Sequence, residues 1–341
     1  MKGKMKKVAA ALAATGLFAL STTAMATNGY FTHGVGTESK GMGGAGVGSP
    51  ENLGGIAAAT NPALAVFSDE KWQIGFAVFS PMRSYEARAG YGGQGGAFTL
   101  GTGEKYDSAN EAFPIPYVAK NWILDSGNSL SFVFYGRGGM NTEWDDNQFA
   151  LFDPFGLGPE PFDGVFGGGI TASEALGPFA GPSLHRAGVD LMQAFMSVNY
   201  AWKVSDEFTI GFGPVVAAQV FEATGLPAFA GYSQTFADFL ASGGDPQTPP
   251  WMVATSLTNN GHDTSTGYGG AIGIWGGSDD FSYGLSYQSK MSMSEFDDYS
   301  DLFAESGGFD IPSTLKAGVS FMASESLRVN LDVEHIGYSD V

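Results

Sequence analysis

The sequence predicts an all-β fold, a transmembrane antiparallel β-barrel, from three observations: an export signal, strands that alternate apolar and polar residues, and no apolar run long enough for a spanning helix. The signal comes first in the chain. Lys2, Lys4, Lys6 and Lys7 form a basic start, Val8 to Leu20 is apolar, and Ala24-Met25-Ala26 places small residues at both positions that signal peptidase reads. Cleavage is expected before Thr27, so residues 1–26 are assigned as a signal peptide. The leader carries four of the 16 basic residues and none of the 35 acidic ones, which leaves 12 against 35, a net of −23. So acidic a chain repels phosphate backbones, and nucleic acid is excluded as a partner. With no cysteine, a disulfide framework, a thiolate metal site and a cysteine nucleophile are excluded too.

Composition supports the membrane reading. Glycine is 51 of 341 residues and aromatics are 13%, whereas charged residues are 15% against about 25% in typical soluble domains. No segment beyond the leader offers the ~20 apolar residues that a transmembrane helix needs.

The strands are read by period two, since successive side chains face opposite sides of a sheet. Phe281, Tyr283, Leu285 and Tyr287 alternate with Ser282, Gly284, Ser286 and Gln288; Leu327, Val329, Leu331 and Val333 alternate with Arg328, Asn330, Asp332 and Glu334. Trp72 to Val78, Met196 to Lys203 and Leu315 to Phe321 repeat the pattern. This predicts nine strands, at 71–88, 113–123, 129–139, 191–204, 207–222, 266–276, 280–294, 312–323 and 326–338. Aromatics near strand ends (Trp72, Trp122, Trp202, Tyr283, Tyr287, Tyr338) match the interfacial girdles of such barrels, and a Gly-, Ser- and charge-rich opposite face suits a wet lumen. Nine is odd where bacterial single-chain barrels are even, so C-terminal strands are expected to be missing from this chain.

Residues 27–70 do not alternate. Their small residues, among them Gly41 and Gly43, suit a compact plug rather than a nucleotide loop, which would need a preceding strand, a following helix and a later acidic residue. Two long connections, about 140–190 and 223–265, carry apolar residues unusual for external loops. The first holds Phe149, Leu151, Phe152, Phe155, Leu157, Phe162, Val165 and Phe166; the second holds Phe229, Tyr232, Phe236, Phe239, Leu240 and Trp251. They pack on each other as a cap, form an apolar groove that captures a greasy ligand, or do both, since the two are compatible.

Catalytic motifs are missing. The four histidines have no metal spacing, no Gly-x-Ser-x-Gly elbow occurs, and the acidic pairs lack an EF-hand register. The chain is therefore read as no enzyme, with no cofactor and no metal.

The order of a signal peptide, a small-residue segment (Ser39 to Gly48), Asn61-Pro62-Ala63 and then alternating strands resembles the FadL/TodX-type outer-membrane transporters of long-chain fatty acids and other hydrophobic compounds. Val198 to Gly213 resembles that family's strand–tight turn–strand unit, and Ile311 to Phe321 its proline-led strand. The resemblance implies a fourteen-stranded barrel, with 71–341 its incomplete part and the N-terminal segment an internal hatch. Gly41, Gly43, Asn61, Pro62 and Ala63 would then belong to the hatch and its gating. Phe149, Leu151, Phe152, Phe155, Leu157, Phe162, Phe166, Phe236 and Phe239 would contact substrate. It further implies passive uptake of hydrophobic small molecules with lateral exit, and as partners outer-membrane lipid, lipopolysaccharide and the barrel assembly machinery. A general or structural porin or adhesin is the competing reading, and a lipid hydrolase a third that lacks its motifs.

Overall fold

In the computed structural model the described residues are 27–51, 54–86, 105–145, 186–246, 248 and 250–341. Nine long strands form one antiparallel path: β1 Trp72–Phe79, β2 Phe113–Ile123, β3 Ser129–Asp145, β4 Arg186–Ser205, β5 Phe208–Thr224, β6 Asp263–Gly277, β7 Phe281–Gln288, β8 Thr314–Ser324 and β9 Leu327–Ile336. Each pairs with its sequence neighbour, as in an up-and-down sheet. No helix of the described residues is long and apolar enough to cross a membrane.

The faces of this sheet are inverted relative to a soluble protein. Along β7, Phe281, Tyr283, Leu285 and Tyr287 are exposed while Ser282, Gly284, Ser286 and Gln288 are buried. On β1, Trp72, Ile74, Phe76 and Val78 are likewise exposed, and so are Met192, Met196, Val198 and Trp202 on β4. The buried set on the other face includes Asn121, Ser131, Arg137, Gln193, Asn199, Thr209, Gln219 and Ser320. A soluble sheet that exposed this many large apolar side chains would aggregate; lipid requires the arrangement.

Several boundaries differ from the sequence reading. The strand expected at 71–88 stops at Phe79, and after Pro81 the segment Ser84–Glu86 pairs separately with Lys105–Asp107. The strand expected at 280–294 ends at Gln288; Ser292–Met293 then turns back onto β6, with Gly267 opposite Met293. β3 and β4 are longer than their alternation shows. A bulge between Gly136 and Gly138 shifts the β3–β4 register, and the period-two signal breaks there although the strand continues. The long connections are accordingly 146–185 and 225–262, and 289–313 is a further one.

Residues 27–68 lie on the polar face. They form a short ribbon (Thr27–Asn28 with Phe31–Thr32), helix α1 (Gly36–Gly41), helix α2 (Ala57–Thr60) and a 3-10 turn, Pro62–Phe67. Their hydrogen bonds reach the first and last strands of the path: Ile56 N donates to Gln73 Oε1 on β1 (3.0 Å), and Gly46 N and Val47 N donate to Asp332 Oδ2 on β9 (2.8 and 2.9 Å). The sheet therefore curls around this segment.

Candidate functional site

The site is built where the N-terminal segment meets the polar face. Asn61 is fully buried and caps the 3-10 turn, its Oδ1 accepting from Ala63 N (3.0 Å). Its Nδ2 donates to Val47 O within the segment (2.9 Å) and to Ile274 O on β6 (3.0 Å). Pro62 at the first position of that turn has no N–H to satisfy. The wall answers with glycine. A Cβ at Gly273 would stand 2.0 Å from Asn61 Oδ1, and one at Gly211 would stand 2.2 Å from the Pro62 carbonyl carbon. Thr209 Oγ1 donates to Ala63 O (3.1 Å), and Asn121 Nδ2 holds Ala65 O and Ser68 O (2.9 and 2.8 Å). Gly48 O accepts both Trp275 Nε1 (3.0 Å) and Ser282 Oγ (2.6 Å). Gly43 has a φ of +68°, but neither Gly41 nor Gly43 is pressed by a neighbour; Gly44 is the tight one, where a Cβ would strike His33 O.

Above the turn, a void of about 20 Å³ remains among Thr60, Pro62, Tyr135, Arg137, Gln288 and Lys316, about enough for one water. The polar face holds a charged cluster that the sequence reading did not single out. Arg137 Nη2 and Lys316 Nζ both contact Glu334 Oε1, at 2.8 and 3.2 Å, with side-chain exposures of 6%, 14% and 13%. Asn28 Nδ2 donates to Glu334 Oε2 (2.6 Å), and the Arg137 guanidinium lies over the Phe31 ring at 4.4 Å. Lys316 and Glu334 stand opposite each other in the β8–β9 hairpin, whereas Arg137 on β3 is far away in sequence, so only its parity hinted at this cluster.

The ladder between β2 and β3 is interrupted. Their register runs from Ile123–Ser129 to Tyr117–Tyr135 and ends there, whereas β3 continues paired to β4 as far as Asp145. Pro114 and Pro116 on β2 have no N–H to offer a ladder. At the far end, Ala109 N donates to Glu143 O (2.8 Å). Between these limits β3 takes its partner from the N-terminal ribbon: Phe31 pairs with Gly138, and Gly139 N donates to Tyr30 O (2.9 Å). Burial raises the Tyr30 phenol well above its usual value.

Of the loop residues expected to contact ligand, Phe149, Leu151, Phe152, Phe155, Leu157, Phe162 and Phe166 lie outside the described residues. Phe236 and Phe239 stand on helix α3 (Gln234–Ala241), capped by Ser233, with their rings stacked at 6.1 Å. That loop packs on 289–313. Asp301 accepts from Ser256 N (2.8 Å) and contacts Thr235, and Leu302 joins Ala230, Ala254 and Leu257. The 289–313 connection brings an aromatic group that the sequence reading missed: Phe296 and Tyr299 are fully buried against Phe221 of β5, and Phe303 and Phe309 continue toward Tyr30. Phe296, Tyr299, Phe303 and Phe309 fall between the strands expected at 280–294 and 312–323, where no alternation marks them.

No family model matches the chain, and no curated protein matches it by sequence. Solved structures do. The toluene transporter TodX of P. putida matches with a TM-score of 0.58 at 14% identity, over 91% of this chain and 72% of that one. A deltaS2S3 mutant of the TodX monoaromatic hydrocarbon channel matches at 0.57 and 13%, over 90% and 71%. A P. aeruginosa FadL homologue matches at 0.50 and 15%, over 91% and 70%. The inverted strand faces and these matches agree: the chain has the FadL/TodX-type transporter fold.

Proposed function

We propose that this protein takes up hydrophobic compounds passively across the outer membrane, by capture on apolar external loops and hatch-gated lateral exit through the barrel wall. The observation that carries this reading is the interrupted β2–β3 ladder backed by the N-terminal ribbon. In a barrel every interstrand bond is ordinarily made, because lipid offers none in return. A stretch of β3 that draws its partner from a short ribbon, and not from β2, is a seam that can part without breaking the wall's own bonds. The polar face carries buried amide, hydroxyl and charged side chains, so an apolar solute gains nothing by staying against it and keeps its contacts by leaving sideways.

The loops 225–262 and 289–313 supply the capture surface, where burying apolar area stabilises a ligand by ~25 cal/mol per Å². Residues 27–70 serve as the hatch, with Asn61-Pro62-Ala63 as its fixed point and Phe31 as the part that covers the seam. The fold neighbours, a toluene transporter and a FadL homologue, support hydrophobic cargo as a class.

The seam offers a direct test. A Cβ built at Gly136 lies 3.9 Å from Ile115 Cβ, inside the roughly 3.5–4.5 Å range of a disulfide, and the chain has no other cysteine. The double variant Ile115→Cys/Gly136→Cys should lose uptake of radiolabelled toluene or hexadecanol when oxidised and regain it with dithiothreitol. Uptake that persists across the oxidised seam would rule out lateral exit there.

A further inference from the structure

The charged cluster bears on which hydrophobic compounds pass, and the inference below rests on the uptake reading above. Two cavities adjoin it. One is the small void above the 3-10 turn; the other, about 650 Å³, is lined by Asn28, His33, Lys316, Asp332, Glu334 and Tyr338 among others. The cations lining them are Arg137 and Lys316, with His33 beside them, and the carboxylates are Asp332 and Glu334. The formal charges of the four balance.

Glu334 uses both oxygens. Oε1 takes Arg137 and Lys316 together, and Oε2 takes the Asn28 amide. A buried ion cluster of this kind rarely stabilises a fold more than apolar packing would, so its presence calls for another reason. Glu334 stands where the head group of an anionic amphiphile would have to stand, since it already occupies the two cations such a head could use. Displacing it would leave a buried carboxylate with no counter-ion. A neutral molecule incurs no such penalty.

We propose that Glu334 is a tethered counter-ion that makes the passage selective for neutral hydrophobic molecules over anionic ones, by holding Arg137 and Lys316 out of reach of a charged head group. Selectivity, and not folding, is the property it controls. Glutamine at 334 would keep the size and the Asn28 contact but free both cations, and the passage would then accept anions. Aspartate would keep the charge and hence the preference for neutral cargo.

The test is uptake of two radiolabelled probes of equal chain length, 1-dodecanol and dodecane-1-sulfonate, by outer-membrane vesicles with and without the full protein. The sulfonate is ionised throughout, so protonation cannot disguise it as a neutral molecule. The wild type should favour the alcohol by about tenfold or more beyond protein-free vesicles. Glu334→Gln should raise sulfonate uptake by about tenfold with alcohol uptake unchanged, and Glu334→Asp should behave as wild type. Equal uptake of the two probes by the wild type, which needs no variant to fold, would overturn the proposal. So would an unchanged ratio in Glu334→Gln when its heat-dependent gel shift shows a folded barrel. If neither probe exceeds the protein-free background, the hydrophobic-uptake reading itself falls and carries this one with it.

Discussion

At the scale of single residues, Asn61 concentrates more structure than any other position in the N-terminal segment. Its side chain serves one N–H and two carbonyls, all in a buried setting. Replacing it with alanine strands those partners, and each unsatisfied buried group costs on the order of 1–3 kcal/mol. Asn61→Ala should therefore lower the stability of the folded barrel by about 2–4 kcal/mol, read as the midpoint of urea unfolding in detergent. It should also raise ion conductance in planar bilayers, because the segment then lets go of β6. Gly273→Ala should do the same from the other side, since its methyl would fall on the Asn61 amide oxygen. Conductance indistinguishable from wild type in both variants would show that the segment is held elsewhere.

Among the elements, β3 and the 289–313 connection decide the character of the site. The bulge at Gly136 to Gly138 shifts the β3–β4 register beside the inward-facing Arg137, and the ribbon pairs with β3 at Gly138. The 289–313 connection packs on Phe221 of β5 and is tied by Lys290 Nζ to Asp310 Oδ2 (2.9 Å). That hydrogen bond, chiefly, raises the Lys290 pKa above the usual 10.5 of lysine. The sign follows: a cation with a raised folded-state pKa contributes its full stabilisation below 10.5, and loses it as pH climbs through the raised value. Protease cleavage within 289–313 should thus be constant from pH 7 to 10 and rise above pH 10.5, whereas Lys290→Met should show the high rate at every pH. A rate that does not depend on pH in the wild type would remove the tether from the account. Because the pair is partly exposed, the effect should also shrink in high salt.

For the whole molecule, the ordering of faces is the governing fact. Leu285 sits mid-strand on β7 and is exposed, while its neighbours Gly284 and Ser286 are buried. In lipid, Leu285→Arg should destabilise by about 2–4 kcal/mol, the cost of a cation near the bilayer midplane. In a water-soluble sheet the same exposed substitution would be almost silent. Reversible unfolding into phospholipid vesicles distinguishes the two, and a change near zero would contradict a lipid-facing position. The polar face gives the opposite expectation: Ser282 is buried and donates to Gly48 O of the N-terminal segment, so Ser282→Leu should be costly there.

The strands and their faces were legible in the sequence because period-two alternation is a local property, and nine segments showed it where nine strands stand. Asn61, Pro62 and Ala63 were legible as a motif, and the structure shows what the asparagine bonds. What alternation could not carry was anything that breaks it: the β3 bulge ended one strand early, and a folded-back loop was read as the end of another. Nor could it pair residues across the barrel. Arg137 and Glu334 are 197 positions apart, and their contact exists only because the sheet curls and brings two inward-facing side chains together. The sequence by itself determined that the chain makes inverted, alternating strands behind a small-residue segment. Tertiary structure alone decided where the N-terminal ribbon meets β3 and that Arg137 meets Glu334, since both depend on how the sheet curls and not on any local run of residues.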